Sequence, residues 1–349
     1  MHNNRIDIYF QSGDNFAFML GTAITSLYMN ASKDYFYNIF IASGDMSEEN
    51  KNKFYLLKNN FHDIKSEITF IDASSWEEEI RSWGVPAHRN NYVTYYKLLI
   101  DRYFKDTDVE HLISIGTDTL VTGDLHELVD FDFEGHPIAM NWSEKLYERR
   151  FKRSHKYCVA EMVYFNLKEW RAKHCEERLI SRIKKYGDIY GSKDQGLLNT
   201  EFQNDMAQLP LKYNIYGITY FFEWKNKVRF NNAPVMTKEE IKSAYEHPEI
   251  IHIPQTFVFR PHEKNSLHPL RSMWWDYCRK EQNPWKDIDE YPSPKMGSKE
   301  KFLRYLYVHL PKGLAEWVFI VFRHGYGWMN SVLYPYHEEY KEGIKQIFN

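Results

Sequence analysis

Between residues 5 and 115, short apolar runs alternate with segments of helical periodicity, a rhythm that few folds satisfy. "RIDIYFQSGDNF" alternates apolar and polar residues and breaks at Ser12-Gly13-Asp14-Asn15, which predicts a strand ending in a loop. "FAFMLGTAITSLYMN" spaces Phe16, Leu20, Ile24 and Leu27 for one helical face. "YNIFIAS" predicts a second strand. "SEENKNKFYLLKNNF" opens on Ser47 with Glu48 and Glu49 behind it, a capped helix start. "SEITFIDAS", "NYVTYYKLLIDRYF" and "HLISIG" continue as strand, helix and strand. The alternation predicts an α/β fold with a mostly parallel sheet flanked by helices on both faces.

In such sheets, ligands sit beyond the carboxyl ends of the strands. Two loops lie there: 11–16 after the first strand and 116–118 after the fourth. The second interrupts "HLISIGTDTLVTGDLHELVD", where an apolar run stops at Gly116-Thr117-Asp118 and then resumes. An acid inside so apolar a stretch needs a partner. No GxGxxG follows the first strand and no GxxxxGK[ST] occurs, which argues against dinucleotide-binding and P-loop chemistry. A net charge of −3 with pI near 6.6 gives no electrostatic footprint for nucleic acid. Cys158, Cys175 and Cys278 have no metal-like spacing and predict a reducing compartment without a disulfide framework. The start, "MHNNRIDIYF", enters a strand without a visible signal peptide, and no run of about 18 apolar residues predicts a spanning helix. The expected location is cytoplasmic.

Beyond residue 131 the pattern mixes. "EKLYERRFKRSHKY" gathers Lys145, Arg149, Arg150, Lys152, Arg153, His155 and Lys156, either a solvated helix face or a site for an anionic acceptor. "AEMVYFNLKEWR" predicts a strand leading into a helix, and another helix starts near Asp194. "EIIHIPQTFVFRPH" predicts a late strand. Residues 1–262 are expected to form the main domain and 263–349 a helical extension. Aromatic residues make up 17% of the chain. In the extension they accompany Lys and Arg on short amphipathic segments, suited either to a membrane surface or to docking on the main domain.

Five segments, in order, resemble glycosyltransferase family 8, the retaining nucleotide-sugar-dependent transferases with a GT-A fold. "IDIYFQSGDNFAFMLGTAITSL" resembles the family's opening strand and uridine-binding loop. "NYVTYYKLLIDRYF" resembles the helix before the metal motif, and "LISIGTDTLVTGDLHELVD" the segment that carries the DxD motif. "VYFNLKEWR...DQGLLNTEF" and "IIHIPQTFVFRP...LHPLRSMWWDYCR" resemble the later segments, over residues 5–280 in all. The resemblance implies a divalent cation, Mn or Mg, bridging the donor's two phosphates. Its ligands here would be Asp118 and His252, with Gly116 standing where the first DxD acid is usual. It implies donor contacts from Gln11, Ser12, Asp14, Asn15, Phe16, Lys97, Thr117, Asp118 and Arg260. Gly13 replaces the acid expected to read the uracil imide. Val159-Ala160-Glu161 replaces an Asn-Ala-Gly and so removes a sugar-contacting asparagine.

Asp194 and Gln195 resemble the pair beside the donor's anomeric carbon, where Asp194 would orient sugar hydroxyls and Gln195 would stabilise an oxocarbenium-like centre. Asp194 also suits a helix N-cap. The implied activity is hexosyl transfer from a UDP-sugar, with retention, to a glycan or lipid-linked acceptor in surface polysaccharide or lipopolysaccharide-type synthesis. Arg149, Arg150 and Arg153 are candidates for the acceptor's phosphate. The tail would hold the enzyme at the inner face of the cell membrane. The alternative is an inactive GT-A module that serves as scaffold for a partner glycosyltransferase. A glycoside hydrolase, using Asp118 with Asp194 or Glu161, fits the predicted sheet poorly.

Overall fold

A computed structural model describes residues 4–88, 91–142, 158–187, 193–202, 204–231 and 236–333, with side chains to Arg323. Strand β1 (Arg5–Gln11) is central, and its alternation sends Ile6, Ile8 and Phe10 into one core and Tyr9 into another on the opposite face. On one side lie β2 (Phe36–Ser43) and then β3 (Ser66–Asp72), both parallel. On the other side β4 (His111–Ile115) also pairs parallel to β1. A short β5 (Thr119–Val121) follows, then β6 (Ile138–Trp142), β7 (Cys158–Asn166) and β8 (Ala207–Leu209). The seven-stranded order is β3-β2-β1-β4-β7-β6-β8, with β7 antiparallel to both its neighbours. The mostly parallel α/β sheet is therefore as expected.

Details depart from the sequence reading. Thr119–Val121 does not prolong β4; it joins a second sheet with β9 (Ile215–Tyr216) and β10 (Ile250–His252), in the order β5-β10-β9. The late strand is thus three residues, Ile250–His252, before the chain turns. "NYVTYYKLLIDRYF" is not one α-helix but a 3-10 helix Val93–Leu99 followed by a short helix Asp101–Phe104. The cause lies in β1: Gln11 Oε1 accepts from Lys97 N at 2.8 Å, and Gln11 Nε2 donates to Thr94 O at 3.1 Å. The side chain thereby takes a donor and an acceptor that an α-helical ladder would use. Helix Ser74–Ser82 was not expected from the sequence.

Packing crosses residue 262. Leu270, Trp274, Trp275, Cys278 and Trp285 share the core built on β1 and helix Ala17–Asn30. Gly21 makes this possible, because a Cβ there would lie 2.3 Å from the Trp285 ring. The tail carries helix Ser298–His309 and helix Lys312–Leu333, the latter 22 residues and longer than the short segments expected. Phe319 and Ile320 pack with Ile218, Phe222, Phe230 and Phe257. Buried Glu316 accepts from Glu223 N and Asn226 Nδ2, both at 2.9 Å. Among the described residues, no helix is long and apolar enough to cross a membrane. Arg149, Arg150 and Arg153 lie outside the described residues.

Candidate active site

The chain runs outward from β1 to β3 and then returns to β4 on β1's other side. The carboxyl ends of β1 and β4 therefore flank the switch point, where α/β sheets open a crevice. A cavity of about 350 Å³ lies there, lined by loop 11–16, the 3-10 helix, Gly116 to Asp118, Glu161, Asp194, Gln195 and Arg260.

At one end, Thr119 Oγ1 donates to Gly116 O at 2.9 Å and closes the loop that carries Asp118. Ile253 N donates to Asp118 O at 2.7 Å, tying this loop to β10 and so to His252. Arg260 enters from a turn in which Phe259 has φ 66°, a left-handed conformation uncommon for a bulky residue. Glu263 Oε2 accepts from Arg260 N at 2.7 Å and fixes that turn. The guanidinium Nη2 donates to Asp118 Oδ2 and its plane lies 5.6 Å from the Phe16 ring centroid. Arg260 is 8% exposed, and its Nε has no acceptor among the described residues.

Three more oxygen and nitrogen donors meet beside this pair. His252 Nε2 stands 3.8 Å from Asp118 Oδ1 and 3.3 Å from Glu161 Oε2. One atom from each of Asp118, Glu161 and His252 lies within 4.8 Å of the others. Burial opposes ionisation of Asp118, but the Arg260 guanidinium beside it outweighs this and holds its carboxyl well below the usual range. Burial and the neighbouring Asp118 push Glu161 well above its ordinary value. Burial lowers the His252 imidazole to about 4, against the pull of Asp118, so it is neutral near pH 7. Two carboxylates and a neutral imidazole are a donor set that suits Mn or Mg, so these residues fit the cation that the sequence motif implies.

At the other end, Lys97 and Asp194 form a buried pair. Lys97 Nζ is 3.0 Å from Asp194 Oδ2 and donates to Ala160 O at 2.8 Å. Thr94 Oγ1 donates to Asp194 Oδ1 at 2.7 Å. Asp194 lies inside the first turn of helix Lys193–Phe202, and its carboxylate meets Thr94 and Lys97. Gln195 Oε1 accepts from Ala160 N at 3.2 Å.

The remaining candidates divide. Asn15, Phe16 and Thr117 line the cavity, and so do Gln11 and Ser12, although Gln11 is engaged with the 3-10 helix and Ser12 Oγ donates to Gly13 O. Asp14 is directed elsewhere: its Oδ1 accepts from Ser47 N, Ser47 Oγ and Asn50 Nδ2 at 2.7–2.8 Å. Despite the opposing effect of burial, these bonds hold its carboxyl below the ordinary value. It braces Ser47, the N-cap of helix Glu48–Asn60, and borders a neighbouring cavity. Sequence reasoning missed Asp45, Thr94, His88 and Asn91, all lining the cleft, and gave Glu161 no place in the cation's donor set.

The crevice at the β-sheet switch point thus holds a cation-type donor set at one end and a carboxylate-amide pair at the other. Residues 7–254 match the family model described as Glycosyl transferase family 8, and the chain belongs to that family. General stress protein A of Bacillus subtilis is 23% identical over 270 residues, covering 76% of this chain and 90% of that protein. Glycosyltransferase GlyB of Streptococcus pneumoniae is 25% identical over 291 residues, covering 82% of this chain and 64% of that one. The galactosyltransferase LgtC, solved with donor and acceptor sugar analogs, superposes with TM-score 0.62 at 17% identity, covering 78% of this chain and 95% of that chain. The bifunctional glycosyltransferase WbbM gives 0.63 at 19% identity, covering 81% of this chain and 50% of that one.

Proposed function

We propose that this enzyme moves a hexose from a UDP-sugar to a glycan or glycolipid acceptor, with retention, in surface polysaccharide or lipopolysaccharide-type synthesis. The observation that carries this reading is the single cleft that joins Asp118, Glu161 and Arg260 at one end to Asp194 and Gln195 at the other. A leaving nucleoside diphosphate gathers negative charge, and fixed positive groups aimed at it lower the barrier. Arg260 supplies one, since its guanidinium lines the cleft. Asp118 and His252 would hold a divalent cation, which would supply Lewis-acid neutralisation of the diphosphate. Phe16 offers a face for the base and Asn15 an amide for the nucleotide. Asp45 lies beside Gly13 and lines the cleft, its Oδ1 accepting from Asp14 N at 3.0 Å. Asp194, fixed by Lys97 and Thr94, would orient the sugar hydroxyls, and Gln195 would face the anomeric carbon.

The tail supports a peripheral place at the inner face of a membrane. Phe302, Tyr305, Val308 and Trp317 are exposed, with Lys299, Lys301 and Lys312 on the same helices. The basic segment 145–156 is the proposed meeting point for the acceptor's phosphate.

The test is UDP release from a panel of UDP-hexoses with candidate acceptors. Asp118→Ala should abolish release while the variant keeps its fold by circular dichroism. Full activity in that variant overturns the site. Calorimetry with UDP and UDP-sugars, with and without Mn, addresses the scaffold alternative: absence of nucleotide binding in every condition would favour it.

A further inference from the structure

Gly116 and Glu161 face each other across the junction of β4 and β7, with Gly116 N donating to Glu161 O at 2.9 Å. A Cβ built on Gly116 would fall 1.2 Å from Glu161 Oε1. The Glu161 carboxylate therefore occupies the space into which a side chain at 116 would project. In this arrangement the two positions compete for one volume: a side chain at 116 would require the Glu161 carboxylate to turn away. We propose that Glu161 has taken over the metal-ligand position left empty by Gly116, so that Asp118, Glu161 and His252 form a three-residue cation site fed from β7. This rests on reading the cleft as a nucleotide-sugar site.

The three side chains stand close enough to converge on one ion. Asp118 divides its oxygens: Oδ2 goes to Arg260, and Oδ1 faces His252. The separations of 3.8 and 3.3 Å from His252 Nε2 exceed by little the edge of about 3 Å between adjacent ligands around an octahedral Mg or Mn. A second feature points to a ligand at the same place. Arg260 pairs with Asp118 and lines the same cleft, which sets a fixed positive charge beside the three ligands, where an anionic ligand would be held.

The experiment measures Mn binding to the full chain by the free-ion electron paramagnetic resonance signal, first without nucleotide and then with UDP. Glu161→Gln keeps the shape and removes the charge. It should weaken Mn binding by about tenfold or more, since even outer-sphere changes cost that much. Gly116→Asp combined with Glu161→Gly returns the carboxylate to the opposite strand and should restore binding towards wild type. A melting curve for each variant separates loss of fold from loss of the ligand. Wild-type Mn affinity in Glu161→Gln overturns the inference, and so does failure of the folded double variant to regain binding. If the wild type binds UDP yet no Mn, the inference fails and the nucleotide reading stands. If it binds Mn through Glu161 and no UDP, the inference stands and the nucleotide reading fails.

Discussion

Replacing Lys97 by Met tests the sugar end of the cleft most directly. Lys97 and Asp194 are 5% and 8% exposed, with Nζ and Oδ2 3.0 Å apart. At an effective dielectric of about 20, charges at that distance attract by about 5 kcal/mol. Desolvation of both ions offsets much of this, so the net worth of the pair is smaller. Breaking it is another matter, because removal of one partner strands the other charge. That costs about 3–5 kcal/mol, and Lys97→Met also deprives Ala160 O of its donor. Thr94 continues to donate to Asp194 Oδ1, which keeps the expectation at the lower end of that range. Guanidinium chloride unfolding of the variant should show the loss. Lys97→Met with Asp194→Leu removes both charges and should recover most of the stability, since a buried ion pair is often worth no more than an apolar one. Transfer activity should stay absent in the double variant, because the carboxylate is gone. A stability change below about 1 kcal/mol in Lys97→Met, the scale of an exposed pair, would refute the reasoning.

Arg260→Met removes the charge-assisted donor proposed for the diphosphate, a loss of about 1.5–3 kcal/mol that calorimetry should register as at least about tenfold weaker UDP binding. Gly217→Ala sets a Cβ 2.7 Å from the His252 carbonyl, a backbone atom unable to swing aside, so a cost of about 1–3 kcal/mol and weaker nucleotide binding should appear together. Burial, aided by Arg260, lowers His262 to about 3, whereas an unfolded histidine titrates near 6.5. Below about pH 6.5 the unfolded chain takes a proton that the folded chain refuses, so stability falls with acidity until about pH 3. His262→Phe should flatten that acid limb in melts between pH 6 and 4. Phe302→Ser with Trp317→Ser should reduce co-sedimentation with anionic vesicles while UDP binding is unchanged.

The strands of the parallel half were legible because periodicity is local: Ile6, Ile8 and Phe10 declare a face without any knowledge of neighbours. The 3-10 helix was not, because Gln11 redirects its hydrogen bonds from a residue more than eighty positions away. Asp14 illustrates the same limit at the site. Its place in the loop suggests the ligand, but Ser47 and Asn50 claim its carboxylate. The acid that does face the loop is Asp45, whose side chain receives the Asp14 amide at 3.0 Å.

Gly116 and Glu161 carry the argument one step further. Along the sequence they read as two separate losses, an acid gone from the DxD loop and a glycine gone from "VAE", and two losses suggest decay. In space they are one exchange, since the carboxylate at 161 fills the volume vacated at 116. Decay gives no reason for the second change to be an acid, or for that acid to stand 3.3 Å from His252. The carboxylate stands on the adjacent strand, beside the backbone glycine that leaves it room. A site that moves a carboxylate and keeps its position is one whose chemistry still constrains it, which weighs against the inactive scaffold and for a working transferase.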